Sequence, residues 1–305
     1  MTVPLVFPPA GRGQAWGTRA MRVAFTSDLH LDFPENRVVL RAMVGRLMAR
    51  RPDAFVLAGD LSHRLKDVEE GLRAFAPLSC PRLFVPGNHD VWILGREPEA
   101  RSSREKYEQH LPRLAAAAGF TYLPREPVLL GDVAFVGTMG WYDYSFRVRA
   151  LDRRYSLAEY AAKVSGFDLH SRWSLPDGDG AAPDPAVAGE MVAALKEQLW
   201  WAEWRGARAV VAVTHFVPFA ELLEVRGTEA WDVNNAYMGS ASLGAALRTC
   251  PRLAAVIFGH AHRVTDREVR GVRAVTRPLG YPVPEEQETA DPAALAERRL
   301  GWLDV

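Results

Sequence analysis

The chain has 305 residues, 48% hydrophobic and 24% charged, and its 37 basic and 37 acidic side chains leave no formal net charge. That composition supports a sizeable soluble core, and the neutral sum removes any general pull toward nucleic acid or an anionic membrane. Cys80 and Cys250 are too few for a disulfide framework and lie in no paired metal motif, so both read as small hydrophobes in a reducing, cytoplasmic setting.

Residues 1–20 carry Pro4, Pro8 and Pro9 and no basic residue ahead of their short apolar stretch, which is not the layout of a secretory signal. They read as a flexible extension, or as sequence upstream of a true initiator at Met21; residues 21–305 read as a single domain. A first strand is expected at 23–26, then a helix capped by Asn36 and running to Arg50, with Val39, Met43 and Leu47 four apart. Ala54–Ala58 is the next buried strand, 68–75 a helix and 83–85 a strand. This alternation calls for a mostly parallel sheet covered by helices. A helix at 101–118 leads into Gly119. Gly131-Asp132 between Val128–Leu130 and 133–137 is a hairpin signal. Residues 137–146 read as an aromatic loop and 173–185 as a surface loop. A helix at 185–204 and strands at Ala209–Thr214, 254–258 and 273–276 complete the pattern. No run is apolar and long enough to span a membrane.

Five polar segments each follow an expected strand: Asp28-Leu29-His30, Gly59-Asp60, Gly87-Asn88-His89-Asp90, Thr214-His215 and Gly259-His260-Ala261-His262. Ligands of open α/β sheets gather at the carboxyl ends of strands, so these segments should converge. Asp28, His30, Asp60, Asn88, His215, His260 and His262 would then offer oxygen and imidazole ligands, a mixture that suits Mn, Fe, Co, Ni or Zn better than Ca. Without thiolates a closed structural zinc site is not expected. Seven ligands exceed one tetrahedral ion and suit two ions with open positions for water. One ligand must bridge, and Asp60, following a glycine that allows close backbone approach, is the candidate. Two divalent ions outweigh two carboxylates and a hydroxide, and the surplus charge suits a phosphoryl group. Such a pair lowers the pKa of a shared water toward ~7.

These blocks, in this order, resemble the calcineurin-like metallophosphoesterase superfamily, whose pattern runs D-x-H, GD, GNH[DE], H, GHxH. The resemblance spans 28–262 and extends to Tyr281; Ala261 stands where threonine is common. Any one block is weak, but the ordered set is specific. It implies an α/β fold, a four-layer α/β/β/α sandwich of two mixed sheets flanked by helices. It implies a hydrolase acting on phosphomonoesters or phosphodiesters through a hydroxide bridging two divalent ions, Mn foremost. One ion would be held by Asp28, His30, Asp60 and His262, the other by Asp60, Asn88, His215 and His260. His89 would not ligate but would assist the leaving oxygen, with Asp90 orienting its ring.

Around this set the expectations are plainer. His63, His110 and His170 read as structural, with a substrate contact the minority view for His63. Trp141 and Tyr142 are candidates for one substrate wall, and the 231–240 segment with Asn235 for another. The 199–204 stretch, with Trp200, Trp201 and Trp204 in it, reads as a helix packing on the core, with a partner surface the minority view. A small phosphorylated substrate is expected; a nuclease acting on DNA or RNA is the alternative, because the same centre suits either. A scaffold that has lost catalysis is the minor alternative, since no motif residue is missing. The sequence does not fix the oligomeric state.

Overall fold

The structure, a computed structural model, describes residues 20–94, 100–166, 169–176, 179–282 and 291–305. The extension expected over 1–20 lies, apart from Ala20, outside them.

Among the described residues the strands form two sheets. The first has β1 (Arg22–Thr26), β2 (Ala54–Ala58), β3 (Arg82–Val85) and β4 (Phe120–Tyr122) in parallel, with β11 (Gly301–Asp304) antiparallel against β1. The second runs β5 (Val128–Leu130), β6 (Val133–Thr138), β7 (Ala209–Thr214), β8 (Leu253–Ile257), β10 (Val272–Thr276) and β9 (Thr265–Val269). Its β6, β7, β8 and β10 are parallel, while β5 and β9 pair antiparallel at the edges. Both sheets are mixed, and helices flank them, as the resemblance implied.

Side-chain alternation at period two explains the layering. In β6, Val133 and Phe135 join one core while Ala134 and Val136 join another; in β7, Val211 and Val213 point to the first and Val210 and Ala212 to the second. The first core fills the space between the sheets and continues beneath α1 (Pro34–Arg50), through Val39, Met43 and Leu47. The second lies under the helix Asp184–Trp204, through Val192, Leu195 and Leu199, and under the helix Ala241–Leu247. The 199–204 stretch belongs to the first of these helices and packs through Leu199, Trp201 and Ala202. Trp200 and Trp204 are 61% and 68% exposed and stack on each other. On the first sheet α1 (Pro34–Arg50) packs beside the helix Pro292–Arg299.

Asn36 does not cap α1. Pro34 sits at the first helical position, where its fixed φ and missing N–H suit helix entry. Asn36 lies inside the helix, buried, and its Nδ2 donates to Leu29 O at 2.8 Å, Gly280 O at 3.0 Å and His30 O at 3.3 Å. It therefore holds two site-bearing loops together. Asn36→Ala leaves buried carbonyls short of a donor, and a loss of about 1–3 kcal/mol in unfolding free energy is expected from denaturant melts. A change below ~0.5 kcal/mol, the usual range of an inert substitution, would contradict this role.

The helix expected at 101–118 is present with a π-helical turn at Lys106–His110 between Ser103–Glu105 and Leu111–Ala117. Lys106 there is fully buried and donates to His63 O and Trp92 O, both at 2.6 Å. The 137–146 segment leaves β6 as a loop, but an interior one, in which Met139, Trp141, Tyr142, Tyr144 and Phe146 are all buried. The 173–185 loop is likewise tied down at its start, where Trp173 is buried against Trp141.

Candidate metal centre

The carboxyl ends of β1, β2 and β3 in one sheet and β7 and β8 in the other open at one place, and all five motif segments meet there. Their backbones interlock: Asp28 N donates to Gly59 O at 2.8 Å, His30 N to Asp60 O at 3.0 Å, and Gly259 N to His215 O at 3.0 Å. Gly59 and Gly87 permit the approach. A Cβ on Gly59 would sit 2.5 Å from Gly87 N and 2.6 Å from His215 Nδ1, and one on Gly87 would sit 2.1 Å from Asp60 Oδ1.

Asp28, His30, Asp60, His260 and His262 all have left-handed backbones, with φ of 52°, 42°, 58°, 67° and 48°. They are five of the nine such non-glycine residues among those described. This conformation costs roughly 1–2 kcal/mol per residue, and strain of this kind concentrates where function fixes geometry.

The side chains form two groups that share Asp60. In the first, His30 Nε2 lies 2.9 Å from His262 Nε2, and His262 Nε2 lies 3.4 Å from Asp28 Oδ1. In the second, Asn88 Oδ1 is 2.9 Å from His215 Nε2 and 3.0 Å from His260 Nδ1. Asp60 uses Oδ1 to accept from His89 N at 2.9 Å. Its Oδ2 faces both groups, at 3.3 Å from His215 Nε2 and 3.9 Å from His30 Nε2.

The far nitrogens of two rings are engaged by carbonyls: His215 Nδ1 faces Ala58 O at 2.9 Å and His260 Nε2 faces Tyr237 O at 3.2 Å. Carbonyls only accept, so each ring places its N–H there and, when neutral, turns a lone pair inward. Asn88 Oδ1, His215 Nε2 and His260 Nδ1 then meet as three acceptors with no hydrogen between them. Such a cluster requires protons or a cation, and its nitrogen and oxygen donors fit a divalent transition ion.

Without an ion the charges settle unevenly. Burial pushes His30 and His260 down to about 3, so both stay neutral. Burial also opposes charge on His215, but the carboxylates of Asp60 and Asp28 outweigh it and lift the ring to about 9. For Asp28, burial is outweighed by His262 and His215, which bring it to about 2.

His89 holds no place in either group. Its ring stacks on Trp92 with centroids 3.6 Å apart, and its Nε2 lies 3.2 Å from the Tyr281 hydroxyl. Asp90 does not orient that ring. Its carboxylate accepts four backbone N–H groups instead, from Gly87, Asp60, Leu61 and Ser62, at 2.8–3.0 Å. Asp90 thus binds the Asp60 loop to the Asn88 loop.

The expected substrate walls also move. Trp141 and Tyr142 are 1% and 0% exposed; the indole donates to Asp184 at 2.7 Å and the phenol to Ser171 O. Asn235 is buried and donates to Glu224 O at 3.0 Å. None has surface to offer a substrate: Trp141 and Tyr142 are closed in by the rest of the excursion between β6 and β7, and Asn235 is turned onto the Glu224 carbonyl. The 231–240 segment reaches the centre through the carbonyl of Tyr237, which faces His260 Nε2 at 3.2 Å.

The residue missed is Tyr281. It is 47% exposed, with its ring 4.5 Å from His30 and 4.6 Å from His262. Gly280 N donates to Asp28 O at 2.9 Å, so this segment is fastened to the β1 exit. The only sequence signal was its place after the last strand of the resemblance. His63 lies nearby, 3.0 Å from Asp32, with Lys106 on its carbonyl, in keeping with a structural part.

The family model of calcineurin-like phosphoesterases matches residues 21–264. The chain belongs to this family. The two clusters just described are the candidate metal-binding groups of this phosphoesterase-family chain. A curated relative, the [acyl-carrier-protein] phosphodiesterase PptH of Mycobacterium tuberculosis, is 25% identical over 203 residues. That match covers 62% of this chain and 57% of the relative's length. The crystal structure of the phosphopantetheinyl hydrolase PptH from Mycobacterium tuberculosis superposes with a TM-score of 0.67 at 22% identity, over 94% of this chain and 96% of that one. A dimetal phosphatase from Danio rerio superposes with a TM-score of 0.50 at 13% identity, over 85% and 87% of the two chains. At these identities the superpositions establish the shared calcineurin-like fold. Among the described residues no helix is long and apolar enough to cross a membrane.

Proposed function

We propose that this phosphoesterase hydrolyses a small phosphodiester at a two-ion centre. Asp28, His30, Asp60 and His262 would hold one ion and Asp60, Asn88, His215 and His260 the other, with Asp60 serving both. The observation that carries the reading is the inward-facing acceptor cluster of Asn88, His215 and His260 beside the paired imidazoles of His30 and His262, with one carboxylate oxygen between them. When bound, two divalent ions supply a hydroxide at neutral pH and offset the charge of the phosphoryl group.

The chain's own residues do the rest. His89 Nε2 faces the mouth of the centre and protonates or hydrogen-bonds the leaving oxygen. Trp92 fixes the plane of that ring from one side. Tyr281 stands at the mouth beside His89, His30 and His262, where its exposed ring and hydroxyl form the substrate wall. Asp90 keeps the two ligand loops in register. The named activity of the curated relative makes a diester the first substrate to test.

The test is to load the protein with Mn and offer bis-nitrophenyl phosphate, nitrophenyl phosphate and single-stranded DNA. Turnover of the diester above the other two is expected, with two ions per chain by elemental analysis. Equal or greater turnover of DNA would move the reading to a nuclease, and no turnover with Mn, Fe, Co, Ni or Zn would overturn it.

A further inference from the structure

An amide presents an oxygen on one side and an NH2 of nearly the same shape on the other. Asn88 serves an ion only if Oδ1 faces inward; turned over, it would set two N–H groups against His215 Nε2 and His260 Nδ1. Something must make the choice. His215 and His260 have theirs made by the carbonyls of Ala58 and Tyr237. For Asn88 the corresponding atom is Ser171 Oγ, which accepts from Asn88 Nδ2 at 2.7 Å. The same oxygen accepts from Trp92 Nε1 at 2.8 Å. Trp92 in turn stacks on His89.

Ser171 belongs to none of the five motif segments. It lies in the excursion between β6 and β7, far from Asn88 in sequence, and it is fully buried. Its position is itself fixed. Tyr142 donates its hydroxyl to Ser171 O, Ser103 N donates to Ser174 O at 3.1 Å, and Ser174 N donates to Ser103 Oγ at 2.9 Å. These contacts give the buried Tyr142 a role: it supports the segment that holds the ligand loop. With Trp92 Nε1 on one lone pair of Ser171 Oγ, the other receives the Asn88 NH2, and that contact turns Oδ1 inward.

We propose that Ser171 is a positioning residue that orients the Asn88 amide toward the second ion and anchors the indole behind His89. This rests on the two-ion reading above. Partners that orient a metal ligand from outside typically account for ~10–100-fold in affinity or activity. Ser171→Ala is therefore expected to weaken binding of one of two Mn ions by ~10–100-fold while the other is retained, measured by calorimetric titration of the full chain.

A comparison in a second background separates orientation from general support. In Asn88→Asp both side-chain atoms are oxygens, so no choice of orientation remains. There Ser171→Ala should change Mn affinity less than ~3-fold, well inside the ~10–100-fold expected with asparagine present. The same loss in both backgrounds, or wild-type affinity for both ions in Ser171→Ala, overturns the proposal. Should Ser171→Ala fail to fold, Ser171→Cys, a near-isosteric and weaker acceptor, carries the same comparison. A wild-type chain that binds two ions without turning over any ester defeats the hydrolytic reading and leaves the Ser171 comparison intact. One that binds fewer than two ions defeats both.

Discussion

Asp60→Asn is expected to empty the centre of both ions rather than one, and to cost more than the ~10–100-fold typical of a residue that only supports a ligand. The argument rests on where the two carboxylate oxygens point. Oδ1 is committed to His89 N at 2.9 Å, so only Oδ2 is available, and it faces both clusters. An asparagine that keeps the first bond puts its NH2 where Oδ2 stood, against His215 Nε2. It also removes the charge that lifts His215. Burial, the largest influence on that ring, then acts with less opposition, and its pKa should fall from about 9. Two measurements check this: ion content after dialysis, and an NMR titration of His215 in ion-free protein. A variant that keeps two ions per chain would show that Asp60 is not the bridge.

Much of this centre was legible because each motif follows a short apolar run, and strands and their exits are local features. The parallel order of β1, β2 and β3 follows from strand–helix alternation, and so does convergence of their carboxyl ends. What escaped was long-range. β11 pairs with β1 across nearly the whole chain, and a Cβ on Gly301 would lie 2.2 Å from the Phe25 ring, a closeness no local pattern announces. Asn36 has the composition of a helix cap, but the need of the Leu29 and His30 carbonyls, and of the distant Gly280 carbonyl, overrides that local preference. Trp141, Tyr142 and Asn235 were read as walls because aromatic and amide residues between ligand blocks suit a rim. The burial of Trp141 and Tyr142 comes from contacts with Asp184 and Ser171, and that of Asn235 from its turn onto Glu224, none of which a local pattern reveals. Asp90 was assigned to the ring of its neighbour, yet four N–H groups from two loops claim its oxygens. Ser171 and Tyr281 become visible only when segments far apart in the chain are brought into contact.

His89→Asn is expected to lower kcat by ~10²–10⁴-fold, the range for loss of a general acid or base, while two ions remain bound. The separation of these outcomes follows from the geometry. His89 reaches the centre through its backbone N–H, which holds Asp60 Oδ1, and through Nε2, which lies 3.2 Å from the Tyr281 hydroxyl and 3.9 Å from Asp60 Oδ2 without belonging to either ligand group. Asparagine keeps the backbone contact and so keeps the bridge in place; it removes the imidazole and its proton. The ring is held by the Trp92 stack and the Tyr281 hydroxyl, not by Asp90, so Asp90→Asn should behave differently. That change weakens the tie between the Asp60 and Asn88 loops, and it should lower ion content and thermal stability together with turnover. If His89→Asn instead sheds an ion at unchanged activity per remaining centre, the residue is a ligand and the assignment fails. If it turns over at the wild-type rate, the leaving oxygen finds its proton elsewhere, and the Tyr281 hydroxyl, 3.2 Å from Nε2, is placed to supply it.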